Sequence, residues 1–190
     1  MTTWNKALLH EKILKMSGTG PLSNTLDNAA AVEVVADNNL VRIPCTGHGL
    51  KAGSMPYLSG TTNYDLMRKI AAVDTNTFDI YADYVAETFA GTETVKTIVT
   101  SKMPFELLEV KLHLSSAPTT AENFTITVDA ADGSDFDFLL FSQGMAGVTD
   151  VIWSPSENLT FNPDDKLVFE WNNTDGRTFG LEVLYGVQGG

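Results

Sequence analysis

The chain holds a single cysteine, Cys45, which excludes an intramolecular disulfide and a cysteine-based zinc site. Cations are scarce as well: 12 Lys and Arg stand against 24 Asp and Glu, a formal net charge of −12. Such a chain repels a phosphate backbone. Its one cationic cluster, Lys6, Lys12 and Lys15, is interrupted by Glu11, so no direct nucleic-acid partner is expected. No apolar run reaches the roughly 18 residues that a spanning helix needs, and no membrane partner is expected either. The start, MTTWNKALLHEKILKM, carries charges throughout its apolar stretch and does not read as a secretory signal. Without one, the glycosylation-type triplets at Asn123, Asn158 and Asn172 read as coincidence in a chain rich in Thr and Asn. No phosphate-cradling loop, dinucleotide fingerprint or GxSxG elbow occurs, and no pair of carboxylates is singled out for glycoside hydrolysis.

What is present suits a β protein. Hydrophobic residues make up 43% of the 190, enough for a buried core, while charged residues are only 19%. Thr, Asn, Ser and Gly fill the difference, as strands joined by tight turns require.

Three segments separate. In the first, 1–30, the spacing of Leu9, Ile13 and Met16 predicts a short N-terminal α-helix from Trp4 to Met16, ended by SGTGP. A helix this short needs a packing partner. The second, 31–102, alternates short apolar runs with turn residues: AVEVVA, LVRIPC, MPYL, LMRKIAAV, TFDIYA and ETVKTIV. Strands so short and evenly spaced predict a small β-barrel. The third, 103–190, has the clearest alternation. In FELLEVKLHL, Leu108, Val110, Leu112 and Leu114 point one way and Glu109, Lys111 and His113 the other. FTITV, FDFLLF, VTDVIW, NLTF, KLVFEW and TFGLEVLYGV follow, and Asp175-Gly176 between the last two is a hairpin signal. The segment predicts an antiparallel β-sandwich. The expected fold class is therefore all-β.

Candidate chemistry is sparse. His48 lies between Gly47 and Gly49, three residues after Cys45, and a catalytic or metal role for it competes with a tight turn. The turn explains both glycines without chemistry, and a cysteine closing an apolar strand is more often buried and inert. His10, His48 and His113 fall in three elements with no ligand-like spacing. The better metal candidate is DAADGSDFD, where Asp129, Asp132, Asp135 and Asp137 offer the hard oxygens that calcium takes; the stretch also reads as a hairpin turn with solvated carboxylates. No cofactor is otherwise expected. Trp153, Trp171 and Tyr185 sit in alternating strands, where core packing is the ordinary role and a sugar platform the alternative.

The stretch VRIPCTGHGLKAGSMPYLSGTTNYDLMRKIAAVDTNTFDIY, residues 41–81, resembles a module recurring in structural proteins of tailed bacteriophages. That module is described as similar to the first catalytic-cysteine half-domain of ubiquitin-activating enzymes (FCCH-like). Gly53-Ser54 stands where the module usually has Gly-Asp. The resemblance implies a small β-barrel used as a spacer or docking unit, and no ubiquitin chemistry. The third segment, through LLEVKLHLSSAPTTAENFTITVDA, TDVIWSP and DDKLVFEWNNTDGRTFGLEVLY, looks like a β-sandwich of phage particles. Together these imply a non-enzymatic virion protein, made in the host cytoplasm and associated with tail or neck, or attaching an appendage. The alternatives are a capsid-surface decoration protein and a carbohydrate-binding accessory. Other virion proteins of portal, tail or capsid, and further copies in a symmetric array, are the implied partners. Trp4, Leu8, Leu9, Ile13 and Met16 are the expected docking residues, on the helix's apolar stripe.

Overall fold

The computed structural model describes residues 9–35 and 39–189. Strands β1 (Leu9–Gly18) and β2 (Ser23–Thr25) precede a run of short ones. These are β3 (Glu33–Val35), β4 (Leu40–Pro44), β5 (Tyr57–Ser59), β6 (Leu66–Met67), β7 (Ile70–Val73) and β8 (Thr77–Tyr81). β9 (Thr94–Thr100) leads to β10 (Phe105–Leu114), β11 (Asn123–Asp129), β12 (Phe138–Gly144) and β13 (Asp150–Trp153). β14 (Thr160–Phe161), β15 (Lys166–Glu170) and β16 (Phe179–Gln188) complete the chain. Among the described residues, the one helical element is a 3-10 turn at Ser134–Phe136.

The strands form three antiparallel sheets. One runs β1-β16-β10-β13, with β14 also on β10; the second runs β12-β11-β15-β9-β5-β6, with β2 on β9; the third runs β3-β4-β8-β7. The first two face each other through their apolar sides. Trp171 beside β15 meets Phe179 of β16 edge-on at 6.2 Å, and Phe141 of β12 packs on Trp153 of β13 at 4.8 Å. Phe124, Ile126, Leu167, Phe169, Val110, Leu112 and Val183 are fully buried between them. Each such side chain contributes about 1.5–3 kcal/mol relative to exposure.

The helix expected over Trp4–Met16 is corrected where it is described: Leu9 through Gly18 form a strand paired residue by residue with β16, from Leu9↔Gln188 to Gly18↔Phe179. Trp4 and Leu8 lie outside the described residues. The same letters support both periods. Leu9, Ile13 and Met16 trace a helical stripe, but Leu14, Met16 and Gly18 alternate inward with period two. A short helix bonds only to itself, whereas this segment pairs along one whole side and places Met16 in the core.

The expected segments also exchange strands. β1, from 1–30, completes the sheet built mainly from 103–190. β9, from 31–102, pairs through Thr94–Lys96 with β5 and β2 and through Thr97–Thr100 with β15. One strand therefore belongs to both halves of the second sheet.

Two details depart from the expected alternation. A bulge between Leu107 and Glu109 shifts the phase of β10 against β16. Phe105 and Leu107 face inward before it, Val110, Leu112 and Leu114 after it, and Leu108 is left half-buried. The Asp175-Gly176 turn forms, with Gly176 at φ 61° and its N–H donating to Asn173 O at 2.8 Å. It joins β15 to β16, however, which lie in different sheets, so it is a crossover and not a hairpin.

Candidate functional site

The Thr46–Leu50 turn follows β4, where strand bonds end and backbone groups need other partners. His48 supplies them. Its Nδ1 accepts the Leu50 N–H at 2.9 Å, which places the ring proton on Nε2, directed at Asp74 O (2.9 Å) and Thr77 O (3.1 Å). The ring is buried and stands edge-on to Phe78 at 5.4 Å. Both nitrogens are thus engaged by backbone, and the imidazole clips the β7–β8 turn onto its own. Gly49 is forced by a close approach: its φ is 58°, and a Cβ there would lie 1.9 Å from the Gly20 nitrogen.

The other polar residues of the 41–81 stretch act similarly. Thr46 donates its N–H and hydroxyl to the two oxygens of Asp27, each at 2.9 Å. Thr62 N–H (2.6 Å), Asn63 N–H (3.0 Å) and the Asn63 amide (3.1 Å) converge on the Glu87 carboxylate. Asp65 accepts from the Thr61 N–H at 2.6 Å, and the buried Tyr64 hydroxyl donates to Val85 O at 2.6 Å. Arg42 and Asp79, directly opposite on β4 and β8, pair through two bonds of 2.9 and 3.2 Å. Cys45 is fully buried, and burial pushes its thiol up to about 12. It is therefore held protonated and away from reagents.

The Asp129–Asp137 stretch is the β11–β12 connection. Asp129 pairs with Lys166 at 3.2 Å, Asp137 accepts the Ala130 N–H at 2.8 Å, and Asp132 and Asp135 are exposed. Among the described residues no group of three or more His, Cys, Asp or Glu side chains is placed to hold a metal. The aromatic trio is also dispersed. Trp171 is buried, Trp153 packs on Phe141, and Tyr185 stands edge-on to Phe105 at 6.4 Å. Burial raises the Tyr185 hydroxyl above its ordinary range. Of the expected docking residues, Met16 accepts a hydrogen bond from Thr97 inside the core, Leu9 lies against Gly186, and Ile13 is 56% exposed.

Sequence reasoning placed Glu109, Lys111 and His113 on one side of β10 but did not find their partners Glu182 and Asp150, or Lys15 beside them. Lys15 meets Glu182 at 2.9 Å, Lys111 meets Glu109 at 2.7 Å and Glu182 at 3.5 Å, and His113 meets Asp150 at 2.7 Å. Of these, Lys15, Lys111, His113 and Glu182 line an open cleft of about 690 Å³, together with Ser17, Gly180 and the Lys51–Ser54 turn. Lys111 is raised chiefly by its bond to Glu109, and Glu182 is lowered chiefly by its bond to Lys15. The charges neutralise one another across β1, β16 and β10. No local sequence signal announces this, because the partners are brought together only by strand order.

Comparison with protein-family models, with curated proteins and with solved structures finds no match.

Proposed function

We propose that this chain is a structural component of a bacteriophage particle, associated with tail or neck, that works through protein–protein assembly and not through catalysis. In this reading β3 to β9 make the FCCH-like small barrel, continued from β7 to β5 by Gly53 N–H on Ile70 O (2.9 Å) and Arg68 N–H on Pro56 O (3.0 Å). The first sheet and β12, β11, β15 and β9 make the antiparallel β-sandwich. The observation that carries the reading is the use of polar groups in the stretch that resembles the phage module. His48, Thr46, Asn63, Asp65 and Arg42 each satisfy a backbone or ionic partner within the chain. His48, the residue of this stretch that offered catalytic or metal chemistry in sequence, therefore serves with the others as a turn lock, as a rigid spacer requires.

The test is mass spectrometry of gradient-purified particles from cells producing this protein, followed by antibody labelling in the electron microscope. The protein is expected in the particle, with label at the tail or neck. Its absence from purified particles overturns the proposal, and label confined to the capsid shell overturns the position.

A further inference from the structure

The structure treats the carboxylates of two Asp-Gly pairs, Asp132-Gly133 and Asp175-Gly176, in opposite ways. Glycine after aspartate matters chemically, because without a Cβ its backbone nitrogen can approach the neighbouring carboxyl carbon. At Asp175 that carboxyl is held. Oδ1 accepts from the Thr120 hydroxyl at 2.6 Å, and Oδ2 from the Thr119 N–H at 2.5 Å, the Thr119 hydroxyl at 3.1 Å and the Thr120 N–H at 3.2 Å. Arg177 adds its charge at 3.6 Å, and the side chain is only 15% exposed. These bonds, the Thr120 hydroxyl's first, hold the group far below the usual carboxylate range, so it stays ionised in mild acid. Asp132, by contrast, is exposed, and its carboxylate has no hydrogen-bond or ionic partner among the described residues. Gly133 is equally bare: its φ is 115°, and no atom stands within 4 Å of where a Cβ would be. Its N–H bond to Ala130 O is 3.2 Å long, against 2.8 Å for Gly176 to Asn173 O. The chain on either side of this tip is fixed. Ala130 N–H donates to Asp137 and Ala131 N–H to Asp165, both at 2.8 Å, and Ser134–Phe136 form the 3-10 turn. The tip can therefore change while the β11–β12 pairing that it connects stays in place.

We infer that Asp132 is a site of spontaneous backbone isomerisation in the folded protein, and that Asp175 is protected from the same reaction. The Gly133 nitrogen attacks the carbon of the protonated Asp132 carboxyl and forms an N–Cγ bond. The carboxyl hydroxyl leaves with the proton of that nitrogen as water, and a cyclic imide closes. Water then opens the imide at either carbonyl. Addition at Cγ restores aspartate. Addition at the main-chain carbonyl breaks its bond to nitrogen and leaves isoaspartate, with the chain now running through Cγ. The product lengthens the backbone by one carbon at the tip and releases a new α-carboxylate there. Asp175 fails both requirements: in mild acid its ionised carboxylate has no hydroxyl to lose, and the two threonines fix its oxygens in place. Tertiary structure thus separates two dipeptides of identical intrinsic chemistry. This inference does not depend on the particle reading and is tested on the purified chain.

The experiment is prolonged incubation of the full chain at about pH 5, where an ordinary carboxyl is still partly protonated, folded and in parallel in concentrated urea. Samples are digested with an endoprotease that cuts before aspartate and not before isoaspartate, and the peptides are mapped by mass spectrometry. The folded chain is expected to become resistant before residue 132, with a form one water lighter in the same peptide, and to be cut normally before Asp175. Urea releases the Thr119 and Thr120 bonds and is expected to bring the two sites to comparable rates. An Asp132 that stays unchanged in the folded chain over the time in which it reacts in urea overturns the inference. So does an Asp175 that reacts as fast as Asp132 in the folded chain.

Discussion

Gly49 and Gly20 touch backbone to backbone: a Cβ on Gly49 would stand 1.9 Å from the Gly20 nitrogen, and one on Gly20 would stand 2.4 Å from the His48 oxygen. The contact fastens the link after β1 to the turn after β4, where Thr19 N–H also donates to Gly49 O at 3.3 Å. Gly47, two residues away, has a similar φ of 67° but open space around it. Gly49→Ala is therefore expected to cost at least about 3 kcal/mol, from a steric clash added to backbone strain. Gly47→Ala should cost only the strain, about 1–2 kcal/mol. Urea unfolding of the two variants checks the difference, and equal losses would remove the close approach as its cause.

His48→Ala takes the acceptor from the Leu50 N–H and the donor from the Asp74 carbonyl, leaves the Thr77 carbonyl only the Asp74 N–H, and opens space beside Phe78. The expected loss is about 2–4 kcal/mol, combining a buried unsatisfied donor with a cavity. If the chain is the virion component proposed above, a turn-lock role for His48 also requires that the refolded variant still enter the particle at permissive temperature. Denaturation midpoints and particle incorporation measure the two effects separately.

Acid should loosen the third segment through Asp175. The Thr120 hydroxyl, followed by the Thr119 and Thr120 amides, holds this carboxyl far below the usual carboxylate range. A folded-state value below the unfolded one of about 3.9 means that the stabilisation is full above that pH and lost progressively as pH falls below it. Asp175→Asn is expected to be less stable than the parent near neutral pH and to lose less on acidification from about pH 6 to pH 3. Parallel stability curves for the two would show that Asp175 does not contribute to the acid response.

Removing residues 1–20 is expected to damage the fold itself. The deletion strips β1 from the full length of β16 and takes Met16 out of the core beside Thr97. Met16→Ala alone should cost about 2–5 kcal/mol. The truncated chain should show a lowered melting temperature and aggregation from the bared β16 edge. A truncated chain that melts like the parent would mean that β1 adds nothing.

The all-β class was legible in the sequence because period-two runs such as FTITV and VKLHL have one structural use in water. The local turns were legible too, since Gly47, Gly49 and Gly176 adopt the positive φ that their settings require. The candidate site was legible only as a set of residues. TGHGL and SGTTNYD stood out, but Asp27 and Glu87, which hold them, lie far along the chain and carry no local mark.

Two Asp-Gly pairs show where sequence stops and tertiary structure decides. Asp132-Gly133 lies in the connection between β11 and β12, which pair in one sheet. Asp175-Gly176 turns the chain just as well but carries it from one sheet to the other. Nothing in either dipeptide distinguishes them, because a turn fixes only the reversal of direction. Which sheet receives the next strand depends on where its apolar face can be buried and which edge is unpaired. The same competition made Leu9–Gly18 a strand: its letters allow a helix, and the open edge of β16 gave its backbone a partner. Composition and periodicity determined that this protein is built of strands, and the pairing of distant edges determined which strands became neighbours.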